Sequence, residues 1–412
     1  MRFLIAAVFL FALHPSLHAE VFSANALVEL AYSNNLNLKQ TSLMVDAMKA
    51  DIGAKNMWSD LMLMYSVQYI SPADPGKLQH MISVEQMFPL WGKNGALEDA
   101  AGMDYLASKL QLEMEKRKIR KLVLSLVLDY SAVIEQAKIE TDKLLMLDKL
   151  KSILKTEYAT GKGMIAGIVD VEIRIAAVQF TLIELSNRMA IIGNTLIDIL
   201  DLPYMNLVIA PPVLDFNKIG LDPQKHLSIA QTAASNSPEV QIAETQIKKY
   251  SDMIALSIAE FYPDLGVGAS YMYTPAMQEH MFSVNLSFNL PVFSYGKKQG
   301  MTDFYVSKKA EAETMKAAMK DAVMKETERM LLKIKSLTAQ VLLLKGQILK
   351  LSENNISSML SAYQVQKAGF SELLSSILMF YQMRTEYIMT ERMLFEEVLE
   401  LEVMTGNRYY EF

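Results

Sequence analysis

The sequence predicts a mainly α-helical chain with a small membrane β-barrel portion, built as a two-fold repeat of short helix, β-hairpin and long helix hairpin. Three observations carry this prediction. Landmarks recur at a nearly constant offset. Two long stretches contain no proline. Each copy holds a pair of segments that alternate between apolar and polar residues.

The repeat comes first, because it fixes how every later segment is read. "ALVELAYSNNLNLKQ" at 26–40 parallels "HLSIAQTAASNSPEVQ" at 226–241, with Asn35 matching Ser237 and Leu36 matching Pro238. Asp60 in "MWSDL" matches Asp264 in "FYPDL", Pro89 in "MFPLWGK" matches Pro291 in "NLPVFSYGK", and Tyr158 in "EYATGKG" matches Tyr363 in "AYQVQKAGF". The copies are residues 20–200 and 226–412. Residues 201–225, rich in proline, read as an irregular connector.

Proline cannot sit inside a helix without breaking its ladder. None occurs between Leu90 and Leu202, and none follows Pro291. Both stretches are rich in Leu, Met, Ala, Lys and Glu, all strong helix formers. Glycines interrupt each at one place, Gly161, Gly163 and Gly167 in the first and Gly369 in the second. Each stretch therefore predicts a helix hairpin, with tips at about 159–167 and 364–371. A helix from Gly95 to Tyr158 would be roughly 95 Å long and needs neighbours along its whole length, as in a coiled coil.

Strands are expected at about 60–70 and 80–90, and again at about 264–274 and 281–291. The period of two puts Leu61, Leu63, Tyr65, Val67 and Tyr69 on one face, against Met62, Met64, Ser66 and Gln68. In the last strand Phe282, Val284, Leu286, Phe288 and Leu290 oppose Ser283, Asn285, Ser287 and Asn289, which are assigned to a wet lumen. The strands are long enough to cross a bilayer when tilted. Trp58, Trp91, Tyr262 and Tyr295 fall at the helix-side strand ends, as an interfacial girdle requires. Four strands cannot close a barrel, since about eight is the lower limit, and lipid does not tolerate open edges. Sister chains must supply the rest. Three give twelve strands, and on this argument a dimer of eight stays open.

Composition narrows the function classes. A net charge of −6 with 21% charged residues argues against a nucleic-acid partner. The run "KRKIRK" at 116–121 reads as a solvated helix face. With no cysteine there is no disulfide, thiolate metal site or cysteine nucleophile. "MRFLIAAVFLFALHPSLHAE" has the plan of a secretory signal, with residues 1–19 removed, and no later stretch is apolar enough for a membrane helix. No nucleophile, phosphate loop or metal-ligand spacing is present, so no enzyme activity, cofactor or resident metal is expected. Of 29 methionines, Met62, Met64, Met81, Met87 and Met272 fall on lumen faces or strand ends. Thioether sulfur is a soft ligand that selects Cu(I), although methionine is also an adaptable core filler. His80 and His280 are expected in loops before the second strand of each pair.

The repeat, the "YPDL" strand start, the "LPVFSYG" return into a helix and the "YxxG" tip together resemble the TolC family of outer-membrane efflux proteins. The resemblance covers nearly the whole chain after residue 19. It implies a homotrimer with a twelve-stranded barrel in outer-membrane lipid and a long α-helical tunnel in the periplasm, closed at the helix-hairpin tips. It implies as partners a periplasmic adaptor protein and an inner-membrane transporter. The expected function is a passive exit channel of a tripartite efflux pump for small molecules or heavy-metal cations. The alternatives are the exit duct of a type I secretion system and a soluble periplasmic coiled-coil scaffold. In the family, acids nine and twelve residues after the tip tyrosine line the aperture. Here those positions give Asp170 after Tyr158 and Glu372 after Tyr363, with Gly167 and Ser375 at the other spacings. The tip glycine three residues after the tyrosine is Gly161 in the first copy and Gln366 in the second; Gly369 follows.

Overall fold

The computed structural model describes residues 21–69, 78–161, 164–203, 208–212, 214–216, 219, 226–290 and 292–411. The signal-like segment, Gly163, Pro291 and most of the connector lie outside them. In the first copy, α1 (Ala24–Asn34) and α2 (Leu36–Lys55) precede β2 (Met62–Tyr69) and β3 (Leu78–Phe88), then α3 (Lys93–Ala159) and α4 (Ile165–Ile199). In the second, α5 (His226–Asn236) and α6 (Pro238–Ala259) precede β5 (Leu265–Thr274) and β6 (Glu279–Phe288). Then come α7 (Tyr295–Leu343), a π-helical turn at Leu344–Ile348, α8 (Leu349–Gln364) and α9 (Phe370–Thr405). Two short strands, β1 (Val21–Phe22) and β4 (Val208–Ile209), pair in parallel.

The repeat is visible in the smallest details. α1 and α2 are separated by Asn35 alone, and α5 and α6 by Ser237 alone. Both residues are extended, with ψ of 120° and 126°. In the first copy the Asn35 side chain accepts from Leu38 N–H at 3.1 Å, capping α2. In the second, Pro238 takes the first helical position, where its missing N–H costs nothing.

The chain divides into two compact units. One holds residues up to 39, 116–233 and 325 onward. Its core near the tips is a seam of Leu147, Leu150, Leu154, Val171, Ile175 and Leu373, each at most 9% exposed. Val171 and Ile175 stand one turn apart on α4, and Leu147, Leu150 and Leu154 follow a 3–4 spacing on α3, so each helix turns one apolar stripe inward. The same unit gives the cationic run specific partners. Arg117 donates to Val403 O, Arg120 pairs with Glu402 at 2.6 Å, and Lys121 pairs with Glu400. The run was expected to be solvated; it ties α3 to the end of α9 instead. The other unit, residues 40–115 and 234–324, holds the four-stranded sheet and the helix segments that lead into and out of it.

Among the described residues no helix is long and apolar enough to cross a membrane.

Candidate functional site

The sheet is antiparallel throughout, in the order β2–β3–β5–β6. The two hairpins join through β3 and β5, where Phe88 pairs with Leu265 and His80 with Tyr273. β2 and β6 are the edges, and among the described residues neither has an outer partner.

Register assigns the faces. One cross-strand row is Leu63, Val84, Ala269 and Val284, and the next is Tyr65, Ile82, Tyr271 and Phe282. The opposite face carries the row Met64, Ser83, Ser270 and Ser283, with the Ser270 and Ser283 hydroxyls 2.6 Å apart. Ser283, Asn285 and Ser287 share this polar face. Asn289 does not belong to the strand, because β6 ends at Phe288; its N–H instead reaches Asp264 O at 3.4 Å. Gly266 is on the polar face for a steric reason. A Cβ there would lie 2.7 Å from Glu85 Oε1, 2.8 Å from Met87 Sδ and closer still to Ser287 Oγ. The glycine lets Ser287 Oγ donate to Glu85 Oε1 across the strand, at 2.6 Å.

Six strand methionines, Met62, Met64, Met81, Met87, Met272 and Met281, all fall on the polar face. Every strand aromatic falls on the other. His80 and His280 correct the loop expectation: both lie inside strands, on the aromatic face. Tyr65 Oη is 2.8 Å from His80 Nδ1 and Tyr271 Oη 2.6 Å from His280 Nδ1. The ladder runs past both, to Leu78 and Glu279, further than alternation alone suggested.

At the helix-side strand ends, the turn from β3 into α3 places Trp91 and Gly92 in the left-handed region, at φ 63° and 75°. A bulky residue there is unusual, and Trp91 is held by its indole N–H, which donates to Pro263 O at 3.1 Å. Its ring packs on Tyr262 at 4.9 Å. Asp264 explains the "YPDL" start: its Oδ1 accepts from Leu90 N–H at 3.2 Å and from Lys93 Nζ at 2.7 Å. Lys93 also donates to Tyr262 O at 3.0 Å and its side chain is only 10% exposed. Trp58 and Tyr295 are exposed at the same level, beside Phe88 and Phe261.

The two tips close alike. Gly161 N–H and Gln366 N–H donate to the carbonyls of Tyr158 and Tyr363, both at 3.0 Å, and both residues have left-handed φ, 76° and 62°. Gln366 therefore adopts the glycine conformation without the glycine. Tyr158 is half exposed. Tyr363 Oη donates to Glu157 Oε2 at 2.7 Å, joining the two tips. Burial first, and then the adjacent Glu157 carboxylate, push the Tyr363 hydroxyl up to about 12. Gly167 faces the Phe370 ring. Glu372 Oε2 accepts from Gly369 N–H at 2.9 Å, so this acid satisfies the N-cap backbone donor at the start of α9. Asp170 lies one turn from Arg174, at 3.5 Å. The sequence reading named both tip tyrosines but not Glu157, the acid beside the first of them.

Among the described residues no group of three or more His, Asp or Glu side chains is placed to hold a metal ion.

Comparison with known proteins gives a family for the second copy and a fold for the whole chain. Residues 229–407 match the family model for outer membrane efflux proteins. Comparison with curated protein sequences finds no match. Among solved structures, CusC is similar with a TM-score of 0.80 at 14% identity, covering 96% of each chain. The outer membrane protein VceC of Vibrio cholerae gives 0.75 at 15% identity, over 94% of this chain and 97% of that one. The Campylobacter jejuni CmeC outer membrane channel gives 0.75 at 12% identity, over 94% and 86%.

Proposed function

From a chain whose residues 229–407 match the outer membrane efflux protein family and whose fold is that of the solved outer-membrane channels, we propose one third of a passive exit duct. The outer-membrane location replaces the soluble-scaffold reading. The observation that carries the proposal is the four-stranded sheet with two open edges and an apolar outer face. Three such sheets close twelve strands, leave no unpaired edge in lipid and turn the serine-rich face to a water-filled lumen. Further support comes from α4, where Ile165, Val169, Ile173, Phe180 and Ile183 leave a large apolar stripe exposed on one chain. A long helix with such a stripe packs against neighbours. The helix tips form the inner mouth, gripped by a periplasmic adaptor and fed by an inner-membrane transporter. Glu372 gives that mouth negative charge, which favours cations over anions, while Asp170 shares its charge with Arg174. Conductance of the purified protein in planar bilayers tests the proposal. Discrete trimer-sized cation-selective openings are expected, and a protein that never conducts overturns it. A proton-driven pump encoded beside the chain points to efflux, and an ABC transporter to type I secretion.

The tip bond makes a gate of this mouth. A tyrosine hydroxyl bonded to a carboxylate is worth about 1.5–3 kcal/mol. Tyr363→Phe is therefore expected to raise the open fraction of single channels by about tenfold or more, without changing the conductance of the open state. The pH dependence has a definite sign. The folded tip holds Tyr363 neutral, so the clasp is intact below the ordinary tyrosine value near 10 and is lost as pH climbs through about 12. Opening that rises over that window in the native chain, but not in Tyr363→Phe, is the expected result.

A soft monovalent cation is the cargo that the lumen face favours. Methionines used as apolar filler would fall on the lipid face with Leu, Val and Phe; all six fall on the wet one. Met81, Met272 and Met281 occupy one row on adjacent strands, about 4.8 Å apart. Thioethers that close can share one Cu(I) or Ag(I) ion. Replacing the three by leucine keeps volume and apolarity. It is expected to lower the silver bound per chain, measured calorimetrically in chloride-free buffer, with potassium conductance retained. Unchanged silver uptake excludes these sulfurs as ligands.

A further inference from the structure

At the helix-side strand ends one carboxylate–ammonium pair is satisfied within the chain and its repeat counterpart is not. At the β3–β5 seam, Asp264 takes Lys93 at 2.7 Å and Trp91 packs on Tyr262 at 4.9 Å. The repeat gives each of these a counterpart. Asp60 matches Asp264, Trp58 matches Tyr262, and the Tyr295-Gly296-Lys297 run matches Trp91-Gly92-Lys93. Those counterparts lie on the two open edges. Asp60 and Trp58 precede β2, while Tyr295 and Lys297 follow β6. All four are exposed, and among the described residues Asp60 and Lys297 form no ion pair.

We propose that the β6–β2 seam between neighbouring copies reproduces the β3–β5 seam within each copy, with Lys297 of one chain clasping Asp60 of the next and Tyr295 stacking on Trp58. The proposal rests on the ring closure argued above and adds its register and its lock. Carrying the β3–β5 pairs over by the repeat turns Gln86–Val267 into Phe288–Leu63, Val84–Ala269 into Leu286–Tyr65, and Ile82–Tyr271 into Val284–Val67. Every resulting pair sets a lipid-facing residue beside a lipid-facing residue. A slip by one residue would set each against the polar face, so the pattern rejects odd slips, and the repeat chooses this register among the even ones. The charges agree as well: the β2 edge offers a free carboxylate and the β6 edge a free ammonium at the same level, next to aromatic rings that shield the pair from water. The edges are heterologous, so every copy offers β6 to one neighbour and β2 to another, and the same seam repeats around the closed ring.

A charge swap in the full-length chain tests the clasp. Asp60→Lys and Lys297→Asp are each expected to lower the temperature at which the purified oligomer dissociates in detergent, with at least a tenfold rise in free monomer at a fixed temperature. The double variant is expected to recover most of the loss. Single variants that match the native protein, or a double variant no better than the singles, overturn the clasp. The chain has no cysteine, so Leu63→Cys with Phe288→Cys gives a second, independent reading. A short thiol cross-linker should yield covalent dimers and trimers, and none if the register is different. This also decides the matter should the charge variants fail to assemble. A native protein that purifies only as a monomer brings down the ring itself, whereas a stable oligomer indifferent to both tests brings down only the clasp.

Discussion

Val284→Arg is expected to abolish assembly in the outer membrane, while Asn285→Arg, one residue on, leaves it close to the native level. Val284 is 77% exposed near the middle of β6 and shares its face with Phe282, Leu286 and Phe288. Asn285 lies on the opposite face with Ser283 and Ser287, beside Gly268. A lipid-facing arginine at the bilayer midplane costs about 2–4 kcal/mol per chain. In the proposed ring of three that cost is carried three times, against a net folding stability of only about 5–15 kcal/mol for an ordinary domain. An arginine turned into a water-filled lumen keeps its hydration and costs little. The measurement is the yield of heat-resistant oligomer in outer-membrane fractions. Comparable yields from the two variants would mean that the faces are reversed or that the sheet does not meet lipid.

The contrast is available because strand faces are the most legible feature of this sequence. A period of two is a local property, so Ser283, Asn285 and Ser287 could be set opposite Phe282, Val284 and Leu286 without knowing any contact. The helix hairpins were legible for the same reason, since the absence of proline and the grouping of glycines act within a few residues. What was not legible depends on distant partners. His80 and His280 read as loop residues because their partners, Tyr65 and Tyr271, stand on the facing strand. The tip clasp needs Glu157 and Tyr363, about half the chain apart, to meet. Gln366 adopts a backbone conformation that its identity argues against; the surrounding hairpin imposes it. The π-helical turn at Leu344–Ile348 has no counterpart in the first copy, and no local signal announced it. The site residues divide in the same way. Asp264 was visible as a strand-start motif, but its role as acceptor for Leu90 and Lys93 was not.

The cationic run at 116–121 is not a solvated face: Arg120 is largely buried against Glu402 near the end of α9. Glu402→Ala is expected to destabilise the unit that holds the C-terminal helix by about 3–5 kcal/mol, the usual cost of removing one partner from a buried ion pair. The Glu402 side chain is 5% exposed. One carboxylate oxygen accepts from Arg120 at 2.6 Å, and the other from Tyr409 N–H at 2.7 Å and Tyr410 N–H at 3.0 Å. Alanine would leave a guanidinium with 14% of its side chain exposed and no counter-ion, and two backbone donors with no acceptor. Tyr410 amplifies the loss. Its ring packs on the fully buried Phe395 at 4.7 Å, and its hydroxyl accepts from Asp215 N–H at 3.0 Å. Freeing the segment after Thr405 would therefore unfasten the connector as well. Glu402→Gln separates charge from geometry, because an amide can still accept from the two N–H groups but cannot neutralise Arg120; it should fall between alanine and the native chain. Denaturant midpoints of the purified protein measure the series. If alanine and glutamine are both within about 0.5 kcal/mol of the native value, the ordinary range for surface substitutions, Glu402 is not holding the C-terminal segment in place.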